Sequence, residues 1–177
     1  KTLLVDVDPQ GNATSGLGID KNTVKNSLYT VLIEETPAKE VIIPTSEPNL
    51  DILPSNIELA GAEVEMVPMI AREKILDGAI GPIRDSYDYI VIDSPPSLGL
   101  LTLNALAAAD QVLVPIQCEF YALEGLTQLL KTITIVRKQI NPRITISVVL
   151  TMFDARTNLS VQVVEEVVKH FSERVHK

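Results

Sequence analysis

Four short runs dense in Val and Ile, residues 2–7 (TLLVDV), 88–93 (DYIVID), 111–116 (QVLVPI) and 144–150 (ITISVVL), constrain the fold of this chain more than any other feature. Continuous apolar runs of this kind mark strands covered on both faces, whereas a sheet with one wet face alternates apolar and polar residues. Between and beyond them, apolar residues recur at three and four over residues 56–66, 69–84, 99–108, 121–140 and 159–175, the period of helices with one buried side. Strands alternating with helices predict an α/β fold, a mostly parallel sheet flanked by helices. With 177 residues, 46% of them hydrophobic, the chain can bury a sizeable core without disulfides or metal staples. No repeat, low-complexity tract or linker composition divides it, so the expectation is a single α/β domain over residues 1–177.

Local signals set the boundaries. Ser55 and Glu58 have the spacing of a capping box, and Asn141 with Pro142 stops the long helix before the last apolar run. Pro37, Pro44 and Pro48 break residues 20–54 into a short helix near 27–34 and strand candidates near 40–43 and 50–53. The chain opens directly on a strand of the fully buried type, which needs neighbours on both edges. Parallel sheets commonly begin with a strand, loop and helix of roughly 30 residues, and the expectation is that such a unit precedes residue 1.

Composition excludes several function classes. Cys118 is the only cysteine, so an internal disulfide and a spaced zinc site are both out, and a reducing cytoplasm fits. No stretch approaches the ~18 consecutive apolar residues of a membrane helix, and the first residues lack the layout of a secretory signal. Lys and Arg number 15 against 23 Asp and Glu, a net charge of −8 that argues against a globally basic surface while allowing a local basic face. Aromatic residues make up 4% with no Trp, too few for stacked single-strand platforms.

Ligands in open α/β sheets bind outside the carboxyl ends of the strands, so polar residues at those ends are the candidates. After the first strand comes Asp6, Val7, Asp8, Pro9, Gln10, Gly11, Asn12. Alternation points Asp6 and Asp8 the same way, and close carboxylates suit Mg²⁺ or a base that orients water; a turn or helix-capping role for Asp8 and Asn12 is the other reading. After the second run, Asp93 ends an apolar strand and leads into Ser94, Pro95 and Pro96, the layout of a Walker B strand. A capping role at a βα turn is equally open there. Thr151, Met152, Phe153, Asp154, Ala155 and Arg156 end the last run, where a base-recognition loop fits. Gly11, Gly16 and Gly18 have neither the GxxxxGK[ST] nor the GxGxxG spacing and read as flexible loop glycines.

Taken in order, these blocks resemble the ParA/Soj family of deviant Walker ATPases, which segregate chromosomes and plasmids. LLVDVDPQGNATSGLG is similar to the family's second conserved block, YDYIVIDSPPSLGLLTLNAL to its Walker B and switch region, and VPIQCEFYALEGL with LTMFDARTNLSVQVVEEV to later blocks. The resemblance implies a P-loop NTPase-like fold and a switch in which ATP and Mg²⁺ close a homodimer that binds double-stranded DNA non-specifically. A ParB/Spo0J-like DNA-binding partner then stimulates hydrolysis. It also implies that Asp8 positions the attacking water, that Asp93 is the Walker B carboxylate and that Asp6 supports the metal shell. Gln10, Asn12 and the 94–97 loop would lie near the γ-phosphate, with Thr151, Met152 and Asp154 at the base. Arg156 is the implied DNA contact, and Lys131, Arg137, Lys138 and Arg143 are weaker candidates for which an ordinary solvated face is the favoured reading. The implied location is the cytoplasm, on the nucleoid, with no membrane involved.

The family's phosphate loop, a KGGxGKT sequence, does not occur in these residues. The chain therefore reads as an internal fragment whose own ATP hydrolysis is not expected, because the lysine and amides that neutralise a triphosphate supply most of such a site's stabilisation. The family's sheet would have its first strand beside strands present here. A sheet lacking it is expected to rearrange, to pair with another molecule or to be ordered only with further material. A receiver-type phosphorylation domain would need a Lys at a later strand end, where Met152, Phe153 and Asp154 stand. A cluster-bridging iron–sulfur reductase would need more than Cys118. A Min-type membrane ATPase would need an amphipathic membrane helix, yet residues 159–175 carry Glu165, Glu166 and Glu173. A non-catalytic interaction module is the remaining alternative.

Overall fold

Strand β1 (Thr2–Asp6) is the axis of the first of two sheets in the computed structural model, which describes residues 1–119, 122–171 and 174–176. The chain divides into two units, Lys1–Ala108 and Ala109–Lys177, each with its own sheet. In the first unit β1 pairs in parallel with β3 (Leu50–Leu53) on one side and β4 (Tyr89–Asp93) on the other, while β2 (Ile43–Pro44) runs antiparallel along β3. Leu3, Val5 and Leu53 of these strands are completely buried against Leu28, Leu32, Leu59, Met66 and Leu76 from the helices. Burying a side chain of that size is worth about 1.5–3 kcal/mol. The helices are α1 (Asn12–Gly16), α2 (Leu28–Ile33), α3 (Ala38–Val41), α4 (Leu59–Glu65), α5 (Ile75–Ile80) and α6 (Leu100–Ala108).

In the second unit β6 (Thr145–Thr151) lies between β5 (Gln111–Gln117) and β7 (Val175–His176), all parallel. Helices α7 (Ala122–Gln139) and α8 (Asn158–Phe171) belong to this unit, which buries Val114, Ile116, Ile133, Val136, Val148, Val163 and Val167. The fold is α/β with parallel strands and helices, as the alternating pattern predicts. Among the described residues, β4 at one edge of the first sheet and β5 at one edge of the second have no ladder partner on their outer side. No helix among the described residues is long and apolar enough to cross a membrane.

The differences from the expected elements are local. Residues 69–84 form no single helix: Ala71 takes a left-handed backbone (φ 53°), and a tight 3₁₀ turn (Arg72–Lys74) leads into α5. Pro82, which has no N–H to donate, then sets a second 3₁₀ segment, Gly81–Ser86. Near residue 40 the structure has a helix where a strand was expected, because Pro37 starts α3 and Glu40 N–H donates to its carbonyl at 2.9 Å; the strand is the short β2 that follows. The Ser55–Glu58 capping box does not form. Asn56 takes that part, its Oδ1 accepting from Glu58 N at 3.1 Å and from Ser27 Oγ at 3.3 Å, while Ser55 Oγ is buried without a partner among the described residues. The last helix stops at Phe171, and Val175–His176 add a strand to β6.

Candidate functional site

The parallel register of β1 and β4 sets Asp6 beside Asp93 at the carboxyl ends of both strands, and Val7 N–H donates to the Asp93 carbonyl at 2.7 Å. Asp6 is completely buried. Its Oδ2 accepts from Thr14 N at 2.8 Å and Thr14 Oγ1 at 2.7 Å, and its Oδ1 accepts from Asp8 N at 3.2 Å. The Thr14 hydroxyl in turn accepts from Ser55 N at 3.0 Å. Asp6 therefore ties the end of β1 to the first turn of α1, and through Thr14 to the loop after β3; both its oxygens are used by the protein.

Asp8 closes the turn that follows. Its Oδ1 accepts from Gln10 N at 2.9 Å and its carbonyl from Gly11 N at 2.9 Å, while Oδ2 has no protein donor among the described residues. Gly11 has to be glycine on two counts: its φ is +60°, and a Cβ there would stand 3.0 Å from Lys21 Cδ and 3.1 Å from the Ser55 carbonyl. Lys21 Nζ donates to the Gln10 carbonyl, placing a cation against this turn. Gln10 is exposed, and Asn12 is the exposed first residue of α1.

Asp93 is exposed at the end of β4, yet its carboxyl is pushed above the ordinary range, first by partial burial and then by the charges of Asp6 and Asp8. Uncompensated carboxylates at neighbouring strand ends suit a hard cation. Among the described residues no three His, Cys, Asp or Glu form a complete metal cage. Mg²⁺ usually takes one or two protein carboxylates and completes its octahedron with waters and phosphate oxygens. The chemistry of Asp8 and Asp93 thus fits a magnesium seat, whereas a phosphate cradle of GxxxxGK[ST] type is not found in the sequence.

The loop after Asp93 is held from beyond. Thr102 Oγ1 donates to the Ser97 carbonyl at 2.6 Å, and Glu63 Oε1 of α4 accepts from Leu101 N at 3.3 Å, capping the start of α6 with a carboxylate. A side chain at Gly99 would collide with that Glu63 carboxylate. Asn104 is completely buried deeper in α6; its Oδ1 accepts from Leu76 N at 3.1 Å and its Nδ2 donates to the Arg72 and Leu100 carbonyls at 2.8 and 3.0 Å.

The remaining candidates lie in the second unit. Thr151 ends β6, and its carbonyl accepts from Cys118 N at 3.1 Å. Met152 has a left-handed backbone (φ 53°) and, like Phe153, is exposed. Asp154 and Arg156 face one another: the guanidinium donates to Asp154 through Nε at 2.9 Å and through Nη2 at 2.7 Å, and the pairing holds the Asp154 carboxyl below its ordinary range. Arg156 thus has its charge balanced within the loop. Arg137 donates to the Ile144 carbonyl at 2.9 and 3.2 Å, while Lys131, Lys138 and Arg143 are exposed. Cys118 is buried, with its thiol pushed up by burial.

Sequence reasoning passed over Thr14, Lys21 and Glu63, and gave Ser55 a capping role in place of its backbone bond to Thr14. Their contacts span from 8 residues (Asp6 to Thr14) to 41 (Thr14 to Ser55), beyond the reach of any local spacing rule.

A family model described as an AAA domain matches residues 1–146. The chain is 54% identical over its whole length to the sporulation initiation inhibitor protein Soj of Bacillus subtilis, spanning 70% of that protein. It is 52% identical over 99% of its length to the chromosome partitioning protein ParA of Myxococcus xanthus, spanning 62% of it. Among solved structures, cobyrinic acid a,c-diamide synthase from Mycobacterium smegmatis, with bound ATP analogue and magnesium, superposes with a TM-score of 0.91 at 39% identity, covering 97% of this chain and 70% of that one.

Proposed function

Because the chain belongs to the ParA/Soj family of partitioning ATPases, we propose that it works in chromosome or plasmid segregation as part of an ATP-driven switch. In this reading Mg·ATP closes a homodimer that holds duplex DNA without sequence preference on the nucleoid, in the cytoplasm. A ParB-like partner then stimulates hydrolysis. The observation that carries the reading is the gathering of acidic groups at adjacent parallel strand ends, Asp6 registered beside Asp93 with Asp8 in the turn that follows, where partial burial and then the charges of Asp6 and Asp8 push the Asp93 carboxyl up.

Asp93 would hold Mg²⁺, which when bound would offset the negative charge of the triphosphate oxygens. Asp8 Oδ2, free of protein donors among the described residues, accepts a proton from the attacking water and orients it. Asp6 acts through the backbone, because its hydrogen bonds to Asp8 N and Thr14 fix where the Asp8 carboxylate stands. Gln10, Asn12 and the 94–97 loop read the γ-phosphate, and Thr151, Met152 and Asp154 border the base. Arg156 contacts DNA only after exchanging Asp154 for a phosphate, so its contribution depends on that pair opening.

The test uses the full-length protein with Mg·ATP, duplex DNA and its ParB-like partner. Asp8→Ala is expected to lower turnover by about 10²–10⁴-fold while leaving ATP-dependent DNA binding in place, and Asp93→Ala to abolish magnesium-dependent nucleotide binding. DNA binding should weaken steeply with salt. Undiminished hydrolysis by Asp8→Ala would overturn the assignment, and ATP-dependent binding to liposomes in place of DNA would support a Min-type role.

A further inference from the structure

The buried hydroxyl of Thr102 takes no part in the mechanism proposed above, and its partner is unusual for a helical threonine. Thr132 and Thr134 of α7 donate to the carbonyls four residues back, Gln128 at 3.2 Å and Leu130 at 2.8 Å, the ordinary bond within a threonine's own helix. Thr102, the third residue of α6 and 5% exposed, reaches out of its helix instead. Its Oγ1 donates to the Ser97 carbonyl at 2.6 Å and comes within 3.4 Å of the Pro95 carbonyl. Thr14 is likewise the third residue of its helix, α1, and its Oγ1 donates to Asp6 outside that helix at 2.7 Å. Each of the loops after the paired strands β1 and β4 is therefore gripped by a threonine of the helix that follows it.

The grip falls where the loop after β4 would otherwise be free. Pro95 and Pro96 have φ fixed by their rings, so the adjustable backbone between Asp93 and α6 is mainly Ser94 and residues 97–99. Ser97 and Leu98 are exposed. The turn of α6 that carries Thr102 is itself anchored: Leu101 N donates to Glu63 Oε1 at 3.3 Å, and the completely buried Asn104 accepts from Leu76 N at 3.1 Å and donates to the Arg72 carbonyl at 2.8 Å. One hydroxyl thus ties an exposed loop to a fixed platform.

The bond also decides which way the loop's backbone faces. A planar trans peptide points its C=O and N–H in opposite directions, so holding the Ser97 carbonyl on Thr102 turns Leu98 N–H away from α6. That N–H has no acceptor among the described residues. Without the hydroxyl, the peptide between Ser97 and Leu98 would be free to rotate, and ordering it would fall to whatever the loop binds.

We propose that Thr102 is a positioning residue of the candidate site, its hydroxyl holding the 94–97 loop in the conformation that receives the terminal phosphate of ATP. This role rests on the nucleotide reading of the site and adds to it a means of telling a triphosphate from a diphosphate. Thr102 touches no ligand and acts through the Ser97 carbonyl. Only a nucleotide long enough to reach the loop bears the cost of ordering it, so loss of the hydroxyl weakens ATP and spares ADP.

The test compares Thr102→Val, which keeps the shape of the side chain, with Thr102→Ser, which keeps the hydroxyl, in the full-length protein. Isothermal titration measures the affinities for Mg·ADP and for a magnesium-bound non-hydrolysable ATP analogue. Thr102→Val is expected to lower the preference for the triphosphate by about tenfold, the worth of one hydrogen bond, with Mg·ADP affinity as in the parent. Thr102→Ser should keep the parental preference. In the nucleotide-free protein, Thr102→Val should move the amide signals of Ser97, Leu98 and Gly99 and leave those of residues 2–6 in place. Thr102→Ala takes the place of Thr102→Val should the latter melt below the temperature of the titration. Equal weakening of both nucleotides, which is what a purely structural threonine would give, would overturn the proposal. So would an unchanged preference in a folded variant lacking the hydroxyl, or a Thr102→Ser variant that behaves like Thr102→Val. A parent that binds neither nucleotide would overturn the nucleotide reading, and this role with it.

Discussion

At the end of β4, partial burial first and then the charges of Asp6 and Asp8 make the folded chain keep a proton on Asp93 to higher pH than the unfolded chain does. The sign follows from linkage: where the native state binds more protons, stability falls as pH rises through the interval between the unfolded and folded values. The penalty starts near the ordinary Asp value of 3.8 and persists at neutral pH. Asp93→Asn is thus expected to melt at a higher temperature than the parent at pH 7, with the gap closing as pH drops below 3.8; differential scanning fluorimetry across pH reads this directly. A parent as stable as the variant at pH 7 would mean that neither burial nor the neighbouring carboxylates penalise the charged Asp93. Asp93 is legible as a candidate because it ends an apolar strand, and Asp8 because it follows one. The part played by Asp6 is not, since burial and the return of Thr14 eight residues later turn a second exposed carboxylate into an internal anchor. Arg156 shows the same limit: its charge is plain in the sequence, but the bidentate bond to Asp154 that engages it is a matter of rotamers.

Elements read from periodicity fare according to how much of their cause is local. The four Val- and Ile-rich runs all become strands because their apolar density has one use, and α6 and α7 follow their periods closely. Residues 69–84 keep a helical period but break at Ala71 and Pro82, and Ile43 pairs along β3 only after α3 has used the residues before it. The contact least visible in sequence is the carboxylate of Glu63 on α4 capping α6 from 38 residues away, in the space that glycine leaves at position 99. Glu63→Ala is expected to cost about 1 kcal/mol, the usual loss of a capping oxygen. Gly99→Ala should cost a similar amount, about 1 kcal/mol, because the added methyl evicts the same carboxylate. Since both remove one interaction, the double variant should cost little more than either single one, a coupling of about 1 kcal/mol in a double-mutant cycle measured by urea unfolding. Additive losses would show that Glu63 and Gly99 act separately.

On the scale of the whole molecule, the two sheets bury β1 and β6 between partners on both sides while β4 and β5 each keep one edge without a ladder partner among the described residues. Side-chain exposure follows the same division: Leu3 and Val5 of β1 are completely buried, whereas Tyr89 and Val91 of β4 and Leu113 of β5 are 72%, 50% and 59% exposed. An apolar strand with an open edge is a template for pairing with another chain, and native proteins ordinarily blunt such edges with charge, proline or a covering element. In β5 the outward alternation includes Pro115, which has no N–H to offer, while β4 carries only Asp93 at its end. Stability should therefore be graded within each unit, because an amide bonded to a central strand opens only with the sheet and an outward one exchanges without it. Hydrogen exchange on the dilute chain is expected to protect the β1 amides of residues 2–6 and the β6 amides of residues 146–150 most strongly. In β4 and β5, outward and inward amides should alternate between fast and slow exchange. Raising the protein concentration should slow the fast set in β4 before that in β5, since β4 has no proline to interrupt a new ladder. Uniform protection along β4 at all concentrations would show that its outer edge is already paired.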